Sequence, residues 1–167
     1  MSPDASRISP IKPEKPKPIP PNLSEELHGY YYEDLETGMS ATVSRTISEA
    51  DITKFAGISG DTNPVHLSED FAKDTMFGGR IAHGMLSAGY ISTLIGTKLP
   101  GPGCIYVSQS LRFKGPVRSG DTVNTRATIT GFDDEKGRVT LWCECFIGDT
   151  VILEGKAVVQ VPRRDPA

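Results

Sequence analysis

Three polar side chains that could move protons, Asp61, Asn63 and His66, crowd into one short segment, SGDTNPVHLSEDFA over residues 59–72. Histidine has an ordinary pKa of about 6.5, close to neutrality, so His66 can take a proton from water and give it back. A carboxylate five residues earlier can hold the same water and trade a proton with it. Asn63, a neutral donor and acceptor, can fix the loop or the water. Pro64 restricts Asn63 to extended backbone and is expected to stop a helix from continuing through the segment. A second group follows at His83 and Gly84, which open the stretch HGMLSAGYISTLIGTKLPG. Free N–H groups point out of a helix N-terminus and its dipole favours negative charge, so the Gly84 N–H is the expected donor to a developing anion. Glycine there lets a substrate approach closely, and His83 can close the gap between the helix start and the Asp61 loop. Taken singly, Asp61 fits the turn after a helix, Asn63-Pro64 fits an ordinary turn, and His66 fits a satisfied core or surface histidine. Their occurrence together, with His83-Gly84-Met85 behind them, points to acid–base chemistry instead. Positions 61, 66 and 83 lack the local spacing of a zinc site, so no metal is expected.

Helices and strands must hold these groups in place. Residues 39–48, MSATVSRTIS, alternate and are rich in β-branched side chains, which predicts a strand. Ser48 followed by acids predicts a helix start, with Gly60 and Asp61 at its end. SEDFAKDT predicts a second short helix capped by Ser68. From residue 83 to 101 the apolar residues Met85, Leu86, Ala88, Tyr90, Ile91, Leu94 and Ile95 cover nearly the whole circumference, which predicts a buried helix. At about 15 residues it is too short to span a bilayer. Only strand-like runs follow: CIYVSQSLRFKGPV, DTVNTRATITGF, GRVTLWCECFIG and TVILEGKAVVQV, divided by GPVRSGD, DDEKG and GDT turns. With no helix between them they are expected as antiparallel neighbours curled around the central helix, an α+β fold.

The remaining sequence bounds the function. The chain has 167 residues, enough for one domain. Its first 22 residues carry seven of the 13 prolines and almost no large apolar side chain. Residues 1–26 are therefore expected as a disordered proline-rich tail, and 27–163 as the domain. The tail lacks the continuous apolar region of a secretory signal. A net charge of −3 argues against a nucleic-acid partner, and no apolar run is long enough for a membrane span. Cys104, Cys143 and Cys145 are an odd set and are expected reduced, in the cytoplasm.

The segments FAGISGDTNPVHLSEDFA, FGGRIAHGML and GPGCIYVSQSLRFKGPVRSGDTV resemble the MaoC-like, (R)-specific enoyl-CoA hydratase family of the hotdog fold. The resemblance covers about residues 32–162. It implies an antiparallel sheet wrapped around a central helix, and dimers whose two sheets join, with an acyl-CoA tunnel in each subunit. It implies that Asp61 and His66 are the catalytic pair. Such proteins often carry a serine in the central helix that supports the pair. Here that register falls on Gly89, with Ser87 and Ser92 nearby. The implied activity is reversible addition of water to a trans-2-enoyl-CoA, giving the (R)-3-hydroxyacyl-CoA without a cofactor. Lys54, Arg112, Lys114 and Arg118 are the candidates for CoA phosphates, although each also fits a solvated charge. Dehydration of acyl-carrier-protein substrates, or a non-catalytic acyl-CoA-binding subunit, are the alternatives. The strand CIYVSQSLRF is the candidate contact of a homodimer.

Overall fold

The computed structural model describes residues 23–164. A one-turn helix α1 (Leu23–Leu27) and a 3-10 turn (Tyr32–Asp34) lead into strand β1 (Ser40–Thr46). Helices α2 (Glu49–Ser59), α3 (Pro64–Leu67), α4 (Glu69–Ala72) and α5 (Gly84–Thr97) come next. The chain then forms β2 (Ile105–Gln109), β3 (Arg112–Phe113), β4 (Thr122–Asp133), β5 (Arg138–Ile147) and β6 (Thr150–Gln160). The expected tail lies outside the described residues except at its end, where α1 straddles the anticipated boundary.

Local sequence explains several element ends. Ser48 caps α2: its hydroxyl accepts from the Asp51 N–H at 3.2 Å, and the Asp51 carboxylate accepts from the Ser48 N–H at 2.9 Å. This reciprocal pair satisfies two donors that a helix start leaves open. Gly60 ends α2 in the left-handed region at φ 75°, which a residue without a β-carbon adopts at little cost. Pro64 acts differently from the expectation. It does separate α2 from the next element, but it also opens a new turn of helix. Its fixed φ and missing N–H suit the first helical position, and the Asn63 side chain caps that turn by accepting from the Val65 N–H at 3.2 Å.

The strands form one antiparallel sheet in the order β1-β4-β5-β6-β2, with β3 also on β6. Along β4 the side chains of Val123, Thr125, Ala127 and Ile129 are buried, and along β5 those of Val139, Leu141, Cys143 and Cys145. The two-residue period puts them all on one face, against which α5 lies across β1, β4 and β5. This helix laid over an antiparallel sheet is a hotdog arrangement. Two expectations change. The last strands are not a simple meander, because β2 pairs with β6, the last strand, and not with β4. The run 104–117 is also not one strand. It breaks at Ser110–Leu111 into β2 and β3, where the Ser110 carbonyl passes over Gly155 so closely that a β-carbon there would overlap it.

Helix α5 is buried on one face only. Ser87, Tyr90, Ile91, Leu94 and Ile95 point at the sheet, whereas Met85, Gly89, Ser92, Thr93 and Gly96 are exposed. The sheet packs against that buried face of the helix. A count of apolar residues around the circumference missed this because Met85 is large and apolar yet exposed.

Candidate active site

The end of α2, the one-turn α3 and the start of α5 converge on one place. His66 is 8% exposed and donates its Nδ1–H to the Ile81 carbonyl at 2.8 Å. A carbonyl can only accept, so in the neutral ring the proton is on Nδ1 and the lone pair is on Nε2. That Nε2 lies 4.0 Å from the Asp61 carboxylate, whose side chain is half exposed. His83, 2% exposed, donates its Nε2–H to the Asp61 backbone carbonyl at 2.9 Å. The rings of His66 and His83 lie 3.8 Å apart, with Phe55 behind His83 at 4.9 Å. The Asp61 carboxylate also accepts from the Asn63 N–H at 3.2 Å. Asn63 therefore holds both the loop and α3, and His83 ties the start of α5 to the Asp61 turn.

The loop that carries the Ile81 carbonyl is itself fixed. The Ile81 N–H donates to Val65, the Ala82 N–H donates to Val117 at 2.7 Å, and the Arg118 guanidinium donates to the carbonyls of Phe77 and Arg80. This commitment explains why Arg118 is not a free cation. Lys114 does line the main cavity, but it pairs with Glu154 at 3.0 Å. Arg112 lines a different groove, beside Trp142. Arg112 and Lys114 thus both sit beside Glu154, and Arg118 is held by loop carbonyls.

A cavity of about 510 Å³ runs along the site, lined by His66, Gly84, Ser87, Phe113, Lys114 and Leu153 among others. Asp61 is not in that lining and reaches His66 from outside the wall. Gly84 has a use beyond its N–H: the Phe113 ring sits over it, and a β-carbon at Gly84 would meet that ring at 2.6 Å. Sequence reasoning missed Phe113 because the contact is long-range. The family's register for a central-helix serine falls on Gly89, which the phase of α5 turns outward with Ser92, while Ser87 is buried in the cavity wall.

Asp61, His66 and His83 come together after all: one ligand-type atom from each lies within 4.8 Å of the others. Spacing along the chain failed as a guide because the fold closes the gap between residues 66 and 83. Two imidazoles and a carboxylate are also a donor set for a transition metal, although proton exchange between these groups and a water needs none.

A family model described as "MaoC like domain" matches residues 33–141. The chain belongs to this MaoC-like family. It is 55% identical over 141 residues to an (R)-specific enoyl-CoA hydratase from Rhodospirillum rubrum, covering 84% of this chain and 98% of that protein. It is 49% identical over 142 residues to a 3-hydroxybutyryl-CoA dehydratase from Methylorubrum extorquens, covering 85% and 90%. Among solved structures, the (R)-hydratase from A. caviae involved in PHA biosynthesis superposes with a TM-score of 0.75 at 41% identity, over 78% of this chain and 99% of that one. Within the MaoC-like fold, the site built above has the parts a hydro-lyase needs: a base of fixed tautomer, a carboxylate beside it, and a helix start on an apolar cavity.

Proposed function

We propose that this MaoC-like chain is an (R)-specific enoyl-CoA hydratase, adding water reversibly to a trans-2-enoyl-CoA. The observation that carries the proposal is the free Nε2 of a buried, oriented His66, 4.0 Å from Asp61, on the wall of an apolar cavity. One water held between the two groups attacks C3 of the enoyl thioester. His66 takes a water proton at Nε2 while the Asp61 carboxylate holds the other hydrogen and offsets the imidazolium charge. The π electrons move onto the thioester oxygen, which the Gly84 N–H and the positive end of α5 stabilise. The enolate then collapses, C2 takes the proton back from His66, and the base is regenerated. Because the same side of the alkene meets both groups, the addition is syn.

A CoA thioester suits the site better than an acyl-carrier-protein thioester. A carrier protein is acidic and calls for a basic rim, yet Lys114 is paired with Glu154 and Arg80 with Glu49 and Glu69. The free state of Cys104, Cys143 and Cys145 suits a cytoplasmic setting. Among the described residues no helix is long and apolar enough to cross a membrane. The edge strand β2 exposes Ile105, Tyr106 and Val107, which supports pairing with the same strand of a second copy through a two-fold axis. Sedimentation at micromolar concentration is expected to report twice the 18.0 kDa chain mass or a multiple of it, and an active monomer would refute the pairing.

Loss of the enoyl-thioester absorbance with short, medium and long 2-enoyl-CoAs, followed by chiral analysis of the product, tests the activity. The (R)-3-hydroxyacyl-CoA is the expected product. No turnover at any chain length, or a predominantly (S) product, would overturn the assignment.

A further inference from the structure

From the partnerless hydroxyl of Ser87 we infer that this side chain is the second donor to the thioester oxygen, completing with the Gly84 N–H a two-donor oxyanion site. This deepens the hydratase reading and rests on it. Ser87 is 1% exposed, and its Oγ has no hydrogen-bond partner among the described residues. A serine or threonine inside a helix commonly returns its hydroxyl to a carbonyl one turn back. The outer face of α5 does so: Thr93 donates to the Gly89 carbonyl at 3.1 Å and Thr97 to the Thr93 carbonyl at 2.7 Å. In α2, Thr53 and Ser59 do the same. Ser87 does not, and a buried polar group left unpaired is costly.

Ser87 lies instead in the cavity wall, on the sheet side of α5, with its Oγ buried. The polar side chains in the cavity wall are His66, Ser87 and Lys114, and the rest are apolar or glycine. Lys114 is engaged by Glu154 and His66 serves the water, so Ser87 supplies the one uncommitted neutral O–H donor in that wall. Gly84 and Ser87 are three apart on α5 and share a face, and the Cα–Cβ bond of a helical residue leans toward the N-terminus. The Ser87 side chain is therefore directed back toward the turn that opens at Gly84, and both residues line the cavity. The substrate atom that gains negative charge there is the thioester oxygen. A donor aimed at it strengthens as the charge builds, so it acts on the transition state more than on binding.

The test is Ser87→Ala, which leaves the helix intact. Hydration should lose about 100-fold in kcat with KM little changed, the scale typical of a lost oxyanion donor. The melting temperature should stay equal or rise, because alanine is the better helix former and no hydroxyl is left unpaired. Carbonyl polarisation is read separately with 2,4-hexadienoyl-CoA bound to His66→Gln, which does not consume it, and to the His66→Gln/Ser87→Ala double variant. The red shift of the bound chromophore should shrink in the double variant. A wild-type level of kcat within twofold, an undiminished red shift, or a loss of activity accompanied by a lower melting temperature would each overturn the assignment. If the unaltered protein hydrates no enoyl-CoA, the hydratase reading itself fails, and that result is distinct from an active enzyme indifferent to Ser87.

Discussion

The 59–66 segment and the middle of strand β5 both place reactive side chains under cover, with opposite consequences. In β5, burial pushes the Cys143 thiol up to about 12 and the Cys145 thiol up to about 11. Burial outweighs the Thr125 hydroxyl, which lies 3.3 Å from the Cys145 sulfur and acts the other way. In the 59–66 segment each side chain is tied by one atom to the main chain and left free at another: His66 through Nδ1 to the Ile81 carbonyl, Asp61 through the carboxylate oxygen that accepts from the Asn63 N–H. Reactivity comes from that partial commitment, not from residue type. A thiol is intrinsically the better nucleophile, yet burial in an apolar strand removes it from chemistry.

The sharpest break of this comparison is at the free atoms. Asp61→Asn and His66→Gln should each lower kcat by at least about 100-fold, the usual cost of a positioned acid–base group. Circular dichroism and melting should show a folded protein, since asparagine keeps the backbone carbonyl that His83 holds and an oxygen for the Asn63 N–H, and the glutamine amide can still donate to the Ile81 carbonyl. Near-normal turnover in either folded variant would remove the pair from the mechanism.

A smaller loss is expected where the tie itself is cut. His83→Ala removes the bond to the Asp61 carbonyl and the ring beside His66. A buried hydrogen bond left half-made costs about 1–3 kcal/mol. If that appears as misplacement of the pair, it is roughly a 5- to 150-fold loss in kcat. Steady-state kinetics with a melting curve measures both shares. A variant unchanged in both would show that Asp61 is held by the α2 cap and Asn63 alone.

The smallest effect is on the β5 side. At pH 8 Cys143 and Cys145 should resist iodoacetamide for as long as the chain stays folded, and react once it is denatured; mass spectrometry of the labelled sites decides this. These thiols also link folding stability to pH. Folded, they hold their protons more tightly than unfolded, where the ordinary pKa is 9.0. Their contribution is therefore fully present below pH 9 and is lost as pH rises toward 11–12. Rapid labelling at pH 8 without unfolding would mean that β5 opens locally.

Features that depend on neighbouring residues were legible in the chain itself. The Ser48–Asp51 capping box, the Gly60 stop and the alternation of β4 and β5 each arise from spacings of two to four residues, within which backbone geometry leaves few choices. The grouping of Asp61, Asn63 and His66 is of the same kind. The sequence by itself therefore determined helices α2, α4 and α5, the long strands, and the closeness of the candidate pair Asp61 and His66. Tertiary structure alone decided the rest. It sent β2 to β6 and broke it at Ser110, because the pairing partner lies at the far end of the chain. It showed α5 one face of the sheet, which turned Gly89 outward and buried Ser87 in the cavity wall. It also brought His83 under the Asp61 carbonyl across 22 residues and engaged Arg118 with loop carbonyls. Local periodicity states which residues share a face of an element. It does not state what that face meets, and both the free lone pair of His66 and the partnerless hydroxyl of Ser87 are set by what they meet.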